Sequence, residues 1–376
     1  MKVIGVIAEY NPFHNGHLYQ ITKIKQLYPN SIIIAVVSSS FTQRGDISIL
    51  NKWDKTNICL DNGIDIVIEL PFVFATQSSD IFGIGAVKLL EELQIDTLVF
   101  GTETDSIDWL KEIADLQLNN KEYDKKVKYY TNLGLNYPTS TNKAVYDLTG
   151  YKVDTPNDLL ALSYIKQIKK DNKNIEIVNI KRTIDYHTTE TENNISSASN
   201  IRKKYINNEN IDNLIPYSSN NLYKISMNNL YPYLKYKVLS EETNLNIYQT
   251  VDEGIENRII KYINESNTYE ELIQKIKTKR YTYNKISRML LHILTSFTKE
   301  EAKSLNIDYI RLLGFTNIGK EYLSKIKKQI RVPLITGYKK NISKILDTEL
   351  RITKIYSLVT NNNLIKEEYR NKPIIK

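Results

Sequence analysis

The chain has 376 residues, a formal net charge of +8 at pH 7 and a sequence pI near 9.0, a length that suits two domains, each with material for its own core, and a balance that favours a polyanionic partner. Its single cysteine, Cys59, excludes an internal disulfide, and no cluster of ligands suggests a metal site. No apolar run is long enough to span a bilayer and the chain opens on a core strand without a cleavable leader, so the expectation is a soluble, cytoplasmic protein without a membrane partner.

From the N-terminus, Lys2 to Glu9 reads as a continuous apolar strand with Gly5 inside, the pattern of a strand buried on both faces of a parallel sheet. Asn11-Pro12 breaks it. Phe13 then precedes His14-Asn15-Gly16-His17, and from His17 the apolar positions Leu18, Ile21, Ile24 and Leu27 or Tyr28 recur at helical spacing until Pro29-Asn30. The chain has four histidines, and two of them fall in this turn from strand to helix. A spacing of three sets both imidazoles on one side of the first helical turn, beside backbone N–H groups that have no intrahelical partner. That is either an anion site with two tunable cations or donors, or a capping turn with two incidental surface histidines. Gly16 leaves the backbone bare for a triphosphate, and a larger residue there should block it.

Further strands are predicted at Ser31 to Val37, Asp65 to Leu70 and Thr97 to Phe100, with a polar loop from Ser38 to Asp46 and a helical pattern from Ala86 to Leu93. The alternation predicts a parallel sheet with right-handed crossovers, whose ligands sit beyond the carboxyl ends of the strands. His14, the Ser38 loop and Gly101 all fall at such ends. Gly101 either offers bare backbone to a nucleotide or simply turns the chain. Ile175 to Ile180 reads as another strand, closed by Lys181-Arg182. After a polar loop comes Ile195-Ser196-Ser197-Ala198-Ser199-Asn200-Ile201-Arg202. Serines at a helix start can hold phosphate oxygens or only cap the helix, and Arg202 near the first turn supplies bidentate charge.

From about Tyr205 onward the chain is rich in Asn, Lys, Tyr and Ile at helical spacings, so a mostly helical second domain is expected over 205–376, following 1–204. Helices are predicted at Tyr233 to Glu242, Gly254 to Ile263, Tyr269 to Ile276 and Tyr283 to Leu294. Lys277, Lys279, Arg280, Tyr281, Tyr283, Lys285 and Arg288 form the densest basic and aromatic group, and Lys325, Lys327, Lys328 and Arg331 another. Such groups can neutralise phosphates and stack on unpaired bases, or form a solvated helix face. His187 and His292 lie outside any catalytic spacing and are expected to be ordinary surface or core histidines.

The opening Gly5-Val6-Ile7-Ala8-Glu9-Tyr10-Asn11-Pro12-Phe13-His14-Asn15-Gly16-His17 resembles the bacterial tRNA(Met) cytidine acetate ligase family, within the nucleotidyltransferase superfamily related to class I aminoacyl-tRNA synthetases. Ser38 to Gly45, Asp65 to Phe72, Gly101-Thr102-Glu103, Thr155-Pro156-Asn157-Asp158 and Lys181-Arg182 also look like that family's segments. The resemblance implies an α/β, Rossmann-like nucleotidyltransferase domain with a parallel sheet. It implies an enzyme that joins acetate to ATP as acetyl-adenylate and passes the acetyl group to N4 of the wobble cytidine of elongator tRNA(Met).

In that reading ATP is cradled by Ile7, Ala8, Glu9, Tyr10, Asn11, Pro12, Phe13, His14, Asn15, Gly16, His17, Leu18, Tyr19 and Gln20. Gly101, Asn157 and Arg182 are further nucleotide contacts, with Asn157 alternatively a plain helix cap. Ser197 and Ser199 are the hydroxyls of the second signature, in which Ala198 stands where a serine is usual. His14, His17 and Arg202 are the catalytic groups, Mg2+ is carried mainly by ATP, and Lys277, Lys279, Arg280, Tyr281, Lys285 and Arg288 meet the tRNA. The rival readings are an adenylyltransferase for a small phosphorylated cofactor precursor and a nucleotide-sensing RNA-binding protein.

Overall fold

The computed structural model describes residues 1–182, 194–303 and 305–376. Strands β1 (Val3–Ala8), β2 (Ile32–Ser38), β3 (Ile66–Leu70), β4 (Thr97–Thr102) and β5 (Glu176–Lys181) lie in the spatial order β5-β4-β1-β2-β3, each parallel to its neighbours. β2 and β3 are buried along their whole length, because runs of Ile and Val serve a strand covered on both faces. Helices Asn15–Leu27, Lys52–Asp61, Ser79–Glu92 and Pro156–Lys170 make the crossovers. The strand order reverses beside β1, with β2 on one side and β4 on the other. Such a switch point opens a crevice at the strand ends, and both the histidine turn and Gly101 stand there.

The sheet does not stop at the N-terminal segment. β6 (Ile310–Phe315) pairs antiparallel with β3, and β7 (Leu334–Ile335) and β8 (Ile374–Ile375) run parallel to β6, which makes eight strands. The part beyond Tyr205, expected to be mostly helical, thus also supplies three strands to the sheet. β6 escaped notice because Arg311 interrupts its apolar pattern, yet Arg311 is fully buried. It lies 3.3 Å from Glu69 of β3 and 2.5 Å from Glu368, while Lys52 lies 2.6 Å and 2.7 Å from the same two carboxylates. Glu349, next to this group, is pushed up to about 8 by burial and then by Glu69. Burial thus favours its neutral form, and the ion pairs within the network are those of Lys52 and Arg311 with Glu69 and Glu368. This sealed network ties the C-terminal helices Lys344–Ser357 and Asn363–Arg370 to the sheet.

Between them lies a helical group: Met227–Ser240, Ile255–Ile263, Tyr269–Ile276 and Tyr283–Leu294. The first begins six residues ahead of the predicted Tyr233. Ser226 and Asn229 cap it reciprocally, and Pro232, which would ordinarily break a helix, sits inside it. Three further helices, Asp108–Asn119, Lys121–Asn132 and Tyr137–Thr149, are inserted after β4. Among the described residues no helix is long and apolar enough to cross a membrane.

Candidate active site

The spacing of the two histidines has a local cause. His14 is the N-cap of helix Asn15–Leu27 and His17 its third residue. The Gly16 amide donates to His14 Nδ1 at 3.0 Å, and the His14 amide donates to His17 Nδ1 at 3.1 Å. This is a capping box in which imidazoles replace the usual Ser and Glu. It consumes both Nδ1 atoms as acceptors, so each neutral ring carries its proton on Nε2. The rings lie 3.8 Å apart between centroids, tilted by 32°.

Burial, then the nearby Arg182 and Arg202, lowers His14 to about 3. Burial, then His14, Arg182 and Lys55, holds His17 well below the ordinary value. Near neutral pH both are uncharged Nε2–H donors beside the bare first turn of a helix. A Cβ on Gly16 would stand 2.8 Å from His14 Cε1 and 3.0 Å from its Nδ1, so glycine there protects the ring position as well as the approach to the backbone.

The surrounding turn is held rigidly. Tyr10 adopts φ 46° and packs edge-on against His17, with ring centroids 4.7 Å apart; a non-glycine residue in the left-handed region marks a strained, over-determined position. Asn11 is pinned to Ile47 and Ile49 by hydrogen bonds of 3.0 Å and 2.9 Å, Phe13 accepts from Tyr217, and the Asn15 side chain donates to the carbonyls of Asn194 and Asn213. Leu18, Tyr19 and Gln20 follow on the first turns, half-buried.

Arg202, from helix Ala198–Ile206, donates to the Asn11 carbonyl at 2.8 Å and to Asp46 at 3.1 Å. The 38–46 loop and the second signature thus meet at the histidine turn. Ser197 caps that helix by accepting from the Asn200 amide at 3.2 Å, and its hydroxyl lies 3.1 Å from that of Ser199.

Gly101, Asn157 and Arg182 converge around Glu103. Asn157 donates to Glu103 at 2.5 Å, Arg182 Nε lies 4.0 Å from the same oxygen, and the Arg182 amide donates to the Thr102 carbonyl at 2.9 Å. Asn157 is not the helix cap; Thr155 occupies that position. Gly101 lies within β4 rather than in a turn, and a Cβ there would meet nothing nearer than Arg182 Cγ at 3.4 Å. The protein alone does not require glycine at this point.

Lys55 was not foreseen. It is fully buried, and its ammonium donates to the carbonyls of Glu9 at 2.7 Å and Ser38 at 2.6 Å, joining the carboxyl ends of β1 and β2. Burial pushes it down to about 8 and likewise raises Glu9, which accepts from the Gln43 amide. The available signal was a charge on the buried face of helix Lys52–Asp61, where Lys52, Lys55, Thr56 and Cys59 recur at helical spacing.

The basic group divides. Lys277, Lys279 and Arg280 are exposed, with Arg280 paired to Glu253 at 2.7 Å. Tyr281 is buried, its hydroxyl on the Asp252 carbonyl at 2.7 Å and its ring covered by the Lys285 ammonium at 4.3 Å, so it is not placed to stack on a base. Arg288 reaches inward to the Gln43 carbonyl at 3.3 Å. Ser287 donates to the Gly45 carbonyl, and Gly45 has φ +82° with no room for a Cβ against the Arg288 backbone. Helix Tyr283–Leu294 is thereby docked on the loop that holds Asp46 against Arg202. His292 is a buried core histidine: Nε2 lies 2.8 Å from the Thr76 carbonyl, and Nδ1 lies 3.0 Å from the Gln249 carbonyl and 3.2 Å from the Thr250 hydroxyl. With Nε2–H donating to Thr76, the neutral ring accepts at Nδ1 from Thr250; His187 lies outside the described residues. Among the described residues no group of three or more His, Cys, Asp or Glu side chains could hold a metal ion.

The model of the HIGH Nucleotidyl Transferase family matches residues 1–372. The tRNA(Met) cytidine acetate ligase of Clostridium kluyveri is 36% identical, over 100% of this chain and 99% of its own. That of Anoxybacillus flavithermus is 34% identical over 100% of both. The chain belongs to this ligase family. Among solved structures, apo Thermotoga maritima TmcAL superposes with a TM-score of 0.92 at 27% identity, over 100% of this chain and 99% of that one. The same Thermotoga protein bound with alpha-thio ATP gives 0.89 at 28% identity with the same coverage. The mostly parallel α/β nucleotidyltransferase fold expected from the sequence is thus the family's own.

Proposed function

We propose that this chain is an ATP-dependent ligase that activates acetate as acetyl-adenylate and transfers the acetyl group to N4 of the wobble cytidine of elongator tRNA(Met). The observation that carries the reading is the imidazole capping box, which presents two neutral Nε2–H donors at the switch point of a sheet whose relatives are named for this reaction.

In the first step an acetate oxygen bonds to the α-phosphorus of ATP and the bond to pyrophosphate breaks. Negative charge grows on phosphate oxygens. His14 and His17 stabilise it by hydrogen bonds, and Arg202 and Arg182, both close enough to depress the His14 pKa, by charge. The turn from Ile7 to Gln20 cradles the nucleotide, Gly101 offers bare strand backbone, Asn157 binds beside it, and the Ser197 and Ser199 hydroxyls lie near the phosphates. Mg2+ would be carried mainly by the ATP phosphates, since no group of described side chains offers it a site, and would supply further neutralisation of phosphate charge. In the second step N4 attacks the acetyl carbonyl carbon, AMP leaves with the bonding pair, and the proton lost from N4 passes to solvent.

No side-chain nucleophile is required, since this transfer is positioning and charge neutralisation. We assign the nucleotide chemistry to residues 1–204 and tRNA recognition chiefly to 205–376, with Lys277, Lys279 and Arg280 as the exposed cations and Lys285 and Arg288 beside them. The cytoplasm, where ATP and tRNA meet, is the compartment. Labelled acetate tests the reading. With ATP, label should appear on elongator tRNA(Met) and be recovered as N4-acetylcytidine; label on no tRNA contradicts it.

A further inference from the structure

The helical insertion after β4 carries a surface that neither nucleotide chemistry nor the fold uses. Its roots lie at the nucleotide cluster: it leaves the sheet at Glu103 and returns at Asn157, and these two side chains are bonded to each other. Residues 121–152 contain six lysines, six tyrosines and only three carboxylates. In a hairpin that needed aromatic rings for packing they would be buried, as Tyr123 is. Instead Tyr129 is 60% exposed, Tyr137 62% and Tyr146 50%. Three exposed tyrosines on one short hairpin are more than scattered single surface apolar residues and mark it as a contact element.

The charges are arranged with the rings. Tyr129 packs against Tyr130 at 5.3 Å, the Lys143 ammonium lies 5.5 Å from the Tyr130 ring centre, and Lys152 lies 5.1 Å from that of Tyr146. Lys125 and Lys126 form ion pairs, whereas Lys121, Lys128 and Lys152 form none among the described residues, and Lys143 lies only near enough to Asp147 to help lower its pKa. The hairpin is also joined to the basic turn of the C-terminal part: the Asn136 side chain, next to Tyr137, donates to the Lys279 carbonyl at 2.9 Å. Tyr137 therefore stands at the join between the hairpin and the turn that carries Lys277, Lys279 and Arg280.

We propose that this hairpin, Lys121–Asn132 with Tyr137–Thr149, is a second RNA-contact surface, which takes unpaired nucleotides of the substrate by base stacking on tyrosine and phosphate pairing with lysine. Sequence-tolerant stacking platforms combined with cationic side chains suit single-stranded RNA such as an anticodon loop. A protein partner is disfavoured by the uncompensated lysines, since lysine is depleted from protein interfaces. The inference rests on the tRNA reading above and adds a stacking function that Tyr281, being buried, does not supply.

The test uses the full chain and a fluorescent anticodon stem-loop of elongator tRNA(Met). Tyr129→Ala, Tyr137→Ala and Lys143→Gln combined should weaken binding at least tenfold, with the melting temperature unchanged within about 3 °C because these side chains are exposed. Lys128→Gln with Lys152→Gln, keeping every ring, should reduce the logarithmic salt slope of binding by about one or two. Affinity within twofold of wild type together with an unchanged slope overturns the proposal. So does self-association of the wild type that the triple variant abolishes, which would make the hairpin a face between two copies. A wild type that acetylates tRNA while the variants bind RNA normally removes this surface alone; a wild type that acetylates nothing removes the reading beneath it.

Discussion

Gly16→Ala separates chemistry from stability at the histidine turn. Gly16 has no left-handed backbone to protect, and as the second helical residue its replacement by Ala should favour the helix by up to about 1 kcal/mol. The new methyl group, however, would lie 2.8 Å from His14 Cε1 and 3.3 Å from Ile195 Cγ2. Carbon atoms pack at ~3.5–4.0 Å, so the imidazole must retreat by roughly 1 Å. That stretches the Gly16 amide bond to Nδ1 beyond use, at about 0.5–1.5 kcal/mol. The two stability terms nearly cancel. The displacement of a transition-state donor does not, because a misplacement of about 1 Å can cost on the order of 100-fold in rate. Gly16→Ala should therefore show a melting transition close to that of wild type and about 100-fold slower acetate-dependent exchange of pyrophosphate into ATP. Exchange within threefold of wild type would refute the argument that ring position is what glycine protects.

Three further outcomes are expected. His17→Ala should abolish adenylate formation while tRNA affinity, measured by filter binding, stays within about threefold; parallel loss of both would undo the division of labour. Arg311→Met leaves Glu69 and Glu368 buried with one cation fewer and should cost on the order of 3–5 kcal/mol in urea unfolding, so a loss below about 1 kcal/mol would mean the network is not sealed. His292 is held down to about 4 by burial, so the unfolded chain takes up its proton first as pH falls below ~6.5. Its contribution is complete above that pH and declines toward pH 4. The advantage of wild type over His292→Gln should therefore shrink by about 1.4 kcal/mol per pH unit across that window; a constant difference would contradict the burial of a neutral ring.

What the sequence revealed was local. The Ile and Val runs of β1 to β4 announce a buried parallel sheet, and the spacing of His14 and His17 follows from one turn of helix, so both are legible in a short window. Three features depend on distant partners. β6 pairs with β3 across some 240 residues of chain, and the carboxylates that make Arg311 tolerable come from Glu69 and Glu368; no periodicity near 311 records them. Lys55 looks like any helix lysine until the carbonyl ends of β1 and β2 are seen to surround it. Tyr281 reads as an RNA-stacking residue by composition, but Asp252 and Lys285 claim its hydroxyl and face. The exposed tyrosines of the inserted hairpin are not legible in the sequence, because a helical pattern alone does not say which face is left uncovered.

The claim that this turn activates acetate is tested most directly by exchange of labelled pyrophosphate into ATP, with acetate present and absent. The account predicts exchange that requires acetate, is lost in His17→Ala and needs no tRNA. Exchange that ignores acetate but appears with a phosphorylated small molecule, or no exchange under any of these conditions, would contradict it.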